Sequence, residues 1–109
     1  MATLFRNKAI KDVGTVPILV IENNAATQST VIGASLTNLT EEPVYVNLLI
    51  QDDTSVTAHY IKDAMIPPNG TLKAVNGGEK LIVAPSCGLL IQADANDSLD
   101  AVFSYVDIV

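Results

Sequence analysis

Pro43-Val44-Tyr45-Val46-Asn47-Leu48-Leu49-Ile50-Gln51 is the stretch that decides the fold class. Val44, Val46, Leu48 and Ile50 alternate with Tyr45, Asn47, Leu49 and Gln51, the period of two that sends successive side chains to opposite faces of a strand. Glu41-Glu42-Pro43 before it and Gln51-Asp52-Asp53 after it are turn signals, so the strand is short and bounded. Similar punctuation recurs about every ten residues: Glu22-Asn23-Asn24, Pro67-Pro68-Asn69-Gly70, Asn76-Gly77-Gly78, Pro85-Ser86 and Asp94 to Asp97. Strand-like segments fill the intervals at Thr30–Asn38, Val56–Lys62, Thr71–Val75, Lys80–Val83, Gly88–Ala93 and Leu99–Asp107. No ten-residue stretch carries a helical period bounded by caps. The expectation is all-β: one antiparallel β-sandwich of seven or eight strands, Ig-like or jelly-roll in layout.

Composition agrees. Twelve Val, ten Ile and nine Thr supply 31 β-branched residues in 109, and such side chains favour pleated strands over helices. A chain of this length forms one domain and can bury a core without disulfides. Its single cysteine, Cys87, cannot staple it internally. Ile32, Leu36, Val46, Leu48, Ile50, Leu89, Ile91 and Phe103 are the expected core. Residues 1–16 alternate poorly and are expected to be an extended arm reaching over a neighbour, with the sandwich at 17–109. No segment approaches the roughly 18 apolar residues of a membrane helix, and Met1 to Gly14 carry no apolar export signal. Synthesis in the cytoplasm, with no membrane partner, is the expectation.

The placement of charge says more than its total of −6. Asn23 to Thr40 and Leu81 to Ala93 contain no charged residue, and neither do Pro43–Gln51 and Ala64–Leu72. A solitary sandwich of this size turns one face of each strand to water and usually places Lys or Glu there. Interface cores are depleted in charge, so Asn23–Thr40 and Leu81–Ala93 are expected to contribute contacts between subunits or with other proteins of an assembly. Arg6, Lys8 and Lys11 hold half of the six basic residues, too small a footprint on an acidic chain to predict a nucleic-acid partner.

The chemistry-bearing residues are few. His59, the sole histidine, has no nucleophile elbow near it and reads as a surface strand residue. Cys87 lacks the further His or Cys ligands that zinc or blue copper requires. Asp94-Ala95-Asn96-Asp97-Ser98-Leu99-Asp100 begins like a calcium loop, but Leu99 stands where the turn glycine is needed and Tyr105 where the bidentate Glu belongs. Asp52-Asp53 and Glu41-Glu42 read as acidic turns. Asn76-Gly77-Gly78-Glu79-Lys80 lacks the spacing of a phosphate loop and reads as a turn. Asn38-Leu39-Thr40, Asn69-Gly70-Thr71 and Asn96-Asp97-Ser98 fit the glycosylation pattern by chance among eight asparagines. The expectation is no catalytic residue, no metal and no cofactor: the chain is not an enzyme. A sugar-binding module would have to build its platform from Tyr45, Tyr60 and Tyr105, because there is no Trp.

The order of segments resembles a known group. Thr30-Val31-Ile32-Gly33 with Asn38, Val44-Tyr45-Val46, Tyr60-Ile61-Lys62-Asp63-Ala64 running into Ile66-Pro67-Pro68-Asn69-Gly70, Gly77-Gly78-Glu79-Lys80-Leu81 and Ser104-Tyr105-Val106-Asp107-Ile108 together resemble small all-β structural proteins of tailed bacteriophages. Members of that group sit on the head, at the neck or in tail-associated parts. The resemblance runs from Thr30 to the end and transfers no functional residue. It implies a virion structural protein without catalysis. The form expected first is a capsid decoration or cement protein, a homo-oligomer with three copies as the first expectation, bound to the major capsid protein. A neck, tail or fibre component is the alternative, and a carbohydrate-binding sandwich a further one.

Overall fold

The computed structural model describes residues 2–75 and 80–109. Among them are nine strands and no helix: β1 (Thr3–Val13), β2 (Ile18–Glu22), β3 (Gln28–Asn38), β4 (Val44–Gln51), β5 (Thr57–Ile66), β6 (Thr71–Val75), β7 (Leu81–Val83), β8 (Gly88–Ala93) and β9 (Leu99–Ile108). The turn at Asn76-Gly77-Gly78 and most of the Asn76–Lys80 loop lie outside the described residues.

The chain runs as one long hairpin. β4 pairs with β5 at its tip, β3 with β6 and β7, β2 with β8 and β1 with β9, all antiparallel. That double ribbon is rolled up so that β9 also pairs with β3, and β8 with β4. The result is two facing sheets, β1-β9-β3-β6 with β7 also on β3, and β2-β8-β4-β5. β6 and β7 follow one another along β3, opposite residues 34–37 and 29–31, so nine strands occupy eight rows. This strand order is that of a jelly roll.

Local chemistry explains the turns. At the hairpin tip, Asp52 Oδ1 accepts bonds from Thr54 N, Thr54 Oγ1 and Val56 N at 2.7–3.0 Å, a side-chain mimic of a backbone turn. These bonds lower the Asp52 pKa, the Thr54 hydroxyl first. Between β5 and β6, Gly70 N donates to Pro67 O at 2.9 Å while Asn69 has φ 56°, the type II geometry that favours Pro68 before it. At Gly14 the backbone passes the 94–98 loop so closely that a Cβ would meet Asn96 Oδ1 at 2.6 Å. That oxygen already accepts from Thr15 N and Thr15 Oγ1, which ties the end of β1 to the loop.

Inward-facing residues of both sheets make one core that includes Val31, Leu36, Val46, Leu48, Ile66, Leu89, Ile91, Leu99 and Phe103, all fully buried. Six of the eight expected core residues are buried there, and Ile50 packs against them half-buried. Ile32 is the correction, at 39% exposure. The pairing of β3 with β9 shifts between Val31 and Gly33, and the bulge turns Ile32 to the outer face.

The expected boundary after residue 16 is also revised. Residues 3–13 are β1, paired with β9 from Thr3↔Ile108 to Val13↔Leu99. β9 offers an open edge along its whole length, and β1 satisfies it within the same chain. β1 therefore belongs to the sandwich.

Candidate interaction surface

The chemistry-bearing residues are dispersed. His59 is exposed on β5, opposite Leu49. Cys87 is half-buried in the turn before β8, its Sγ 3.6 Å from Pro85 O. Asp94 accepts from Tyr45 N at 3.0 Å and Asp100 from Asp12 N at 3.0 Å, so these acidic residues brace turns. No group of three or more His, Cys, Asp or Glu is arranged to hold a metal ion among the described residues. No pocket opens among them, and no buried side-chain nitrogen or oxygen there lacks a partner. The tyrosines form no shared platform: Tyr45 and Tyr60 lie on β4 and β5, Tyr105 on β9 in the other sheet. Asn38 is buried with its amide fully engaged, which removes it as a glycosylation acceptor in the folded chain.

The surfaces of the sheets are more distinctive. On the outer face of the β1-β9-β3 sheet, strand register places Phe5 beside Val106, Val106 beside Thr30, and Thr30 beside Ile82. One row of this face thus crosses four strands. The next rows are Asn7-Ser104-Gly33 and Ala9-Val102-Ser35, and Ile32 joins them at the bulge. Phe5 is 80% exposed, Ile82 58% and Val102 49%. None of these residues is charged. Charge on this side begins at Lys73, which extends the third row and whose Nζ donates to Ser35 Oγ at 2.9 Å, at exposed Lys80 two residues before Ile82, and at Lys11 and Asp100 past the Ala9 row. Parts of two charge-free segments, β3 from 23–40 and Ile82 from 81–93, therefore meet on one face, joined by β1 and β9. Phe5 lay in the stretch expected to be an arm, so sequence reasoning did not include it.

The opposite sheet also shows apolar side chains outward, in the row Leu19-Leu90-Leu49 and the pair Tyr45-Met65. Its strands β2 and β5 carry Glu22, His59, Lys62 and Asp63, all exposed. That face is mixed, whereas the Phe5, Asn7 and Ala9 rows across β1, β9 and β3 carry no charge.

Beneath the Phe5 row, on the inner side of the same strands, lies a polar cluster. Ser29 Oγ donates to Asp107 Oδ1, Arg6 Nε lies 2.9 Å from Asp107 Oδ2, and Asn23 Nδ2 donates to Val83 O at 2.8 Å. Through Arg6, Ser29 and Asp107 the cluster ties β1, β3 and β9 together at this end of the sheet. Tyr105 sits in it half-buried; burial first, then the Asp107 charge, raises its pKa, and Arg6 partly opposes them. The fold therefore favours the neutral hydroxyl. That contribution is complete below the usual tyrosine value near 10 and is lost as pH rises through the higher folded value. Between pH of about 9 and about 11 the wild-type melting temperature should fall faster than that of Tyr105→Phe. Parallel curves would remove Tyr105 from the cluster's energetics.

No family model and no curated protein matches the chain. Similar solved structures include two of infectious bursal disease virus. A chain in the structure of infectious bursal disease virus, Gx strain, is 13% identical over 95% of this chain and 33% of that one, with a TM-score of 0.52. A chain in the VP2 subviral particle of infectious bursal disease virus is 11% identical over 94% of this chain and 41% of that one, with a TM-score of 0.25. The first likeness shows a shared fold. This chain spans a third of the length of that larger one.

Proposed function

We propose that this protein is a non-enzymatic structural component of a virus particle, a decoration or cement protein bound to the head shell of a tailed bacteriophage. The observation that carries the reading is the uncharged, exposed face around Phe5, Val102 and Ile82 on a small jelly roll. A chain of net charge −6 that keeps such an apolar patch free of carboxylates is built for burying surface against neighbours. Two further points support it: the segment order resembles small phage virion proteins, and the similar fold with a TM-score of 0.52 comes from a virus structure. As a cement protein the chain bridges adjacent shell subunits, and area buried across a seam opposes the outward pressure of packaged DNA. Repetition over a symmetric lattice makes modest contacts durable.

The test is localisation. Purified chain added to shells lacking it, followed by cryo-electron microscopy, should give density at many equivalent lattice sites on the head. Density confined to one vertex or the tail would replace the cement role by a neck, tail or fibre role. Absence from every particle, with no binding to purified shells, would overturn the virion reading itself.

A further inference from the structure

We infer that the β1-β9-β3 face binds a second copy of this chain, face to face about a twofold axis parallel to the strands. The inference deepens the assembly reading and rests on it. Charge selects the partner. Outside β1 the chain carries three basic and eleven acidic residues, so most approaches of two copies bring carboxylates together. The Phe5-Val106-Thr30-Ile82 row and its neighbours present none. A basic partner would gain nothing from rows without carboxylates, whereas the same rows of a second copy lose nothing by covering them.

The row is also complementary to itself. Rotation about an axis parallel to the strands, lying between the two sheets, reverses the order across the strands while keeping them aligned. Phe5 of each copy then lies over Ile82 of the partner subunit, and Val106 over the partner's Thr30. The most exposed aromatic covers the most exposed residue of the far strand, and the smaller pair meets at the centre. A closed pair needs only this one surface. Three copies would need two different surfaces, and the mixed face with Glu22, Lys62 and Asp63 is the other one available.

The face is three strands wide, four at the Phe5 row, and about six residues long, roughly 14 by 20 Å, or on the order of 300 Å² per copy. The total falls short of the roughly 1,200 Å² of a standard stable interface, so the pair is weak alone and is consolidated on a lattice. The experiment must therefore trap it. In one chain Phe5 and Ile82 are three strand spacings apart, about 14 Å. A Cys87→Ser protein carrying Phe5→Cys and Ile82→Cys is treated with a bis-maleimide shorter than that separation, so that a link between these sites joins two chains. Covalent dimer should form on the order of tenfold faster than from either single-cysteine variant, because the twofold holds like residues apart. Cross-linking at equal rates in the single and double variants would mean random collision and would overturn the pair. So would monomer only, or linkage only to cysteines placed at Leu19 or Met65 on the other sheet. If the pair fails while the chain still binds shells, the assembly reading stands without it. If the pair forms and no particle retains the chain, the shell reading falls and the pair remains.

Discussion

Replacing Asn38 by Ala should lower the unfolding free energy by about 2–4 kcal/mol, the sum of several lost bonds and of polar groups left buried without partners. Asn38 is 1% exposed at the end of β3. Its Nδ2 donates toward Glu42 O at 2.7 Å, Ile66 O at 3.0 Å and Pro67 O at 3.2 Å. Its Oδ1 accepts from Thr40 N and Thr40 Oγ1, both at 2.8 Å. One amide thus joins three strand ends, those of β3, β4 and β5, where the chain passes between the sheets. Backbone bonds from Asn38 N to Gly70 O and from Asn69 N to Thr40 O close the same corner. Asn38→Asp conserves shape but turns a carboxylate toward three carbonyl oxygens, and should cost at least as much at neutral pH. Urea unfolding monitored by circular dichroism is the measurement, with the midpoint lowered and the slope unchanged. A loss below about 1 kcal/mol would mean that water replaces the clasp at little cost.

Asn38 also marks a limit of sequence reading. In the sequence it opens an Asn-Leu-Thr triplet and ends an alternating segment; its role depends on Ile66 and Pro67, 28 and 29 residues away. Local signals were legible where local physics dominates. The 43–51 alternation matches β4 because one of its faces is buried, and Pro68-Asn69 marks a turn whose backbone angles those two residues favour. β1 was not legible as a strand of the sandwich because residues 3–9 are exposed on both faces, and a strand without an inside has no period of two. Ile32 went to the wrong side because a bulge inverts alternation from within a strand that otherwise obeys it. The sequence left Ig-like and jelly-roll layouts open; the choice rests on β9 lying between β1 and β3, a long-range pairing with no local signature. The interaction surface has the same character. Its uncharged segments are visible in the sequence, but Phe5, Val106, Thr30 and Ile82 come from four separate stretches and become neighbours only through register.

Two phenylalanines on adjacent strands, Phe103 on β9 and Phe5 on β1, should answer the same substitution in opposite ways. Phe103 is fully buried between the sheets, with Leu36, Leu48 and Ile91 also buried in that core. Phe103→Ala removes its transfer energy and leaves a cavity, at a cost of about 3–5 kcal/mol. A domain of this size has only about 5–15 kcal/mol in total, so the variant should melt far below wild type or fail to fold. Phe5 lies on the same sheet but turns outward, 80% exposed, and its side chain is already in water in the unfolded state and nearly so in the folded one. Phe5→Ala should therefore change folding stability by no more than about 0.5 kcal/mol. If the proposed pair is right, it should nevertheless weaken self-association, because burial of Phe5 then occurs only when a second copy covers it. Urea unfolding at low protein concentration reads the first quantity, and sedimentation equilibrium at rising concentration reads the second. A Phe5→Ala protein destabilised as strongly as Phe103→Ala would mean that Phe5 is covered within its own chain. A variant unchanged in both measurements would make the exposed ring dispensable. Only loss of association at constant stability fits a face whose apolar character serves assembly and not the core.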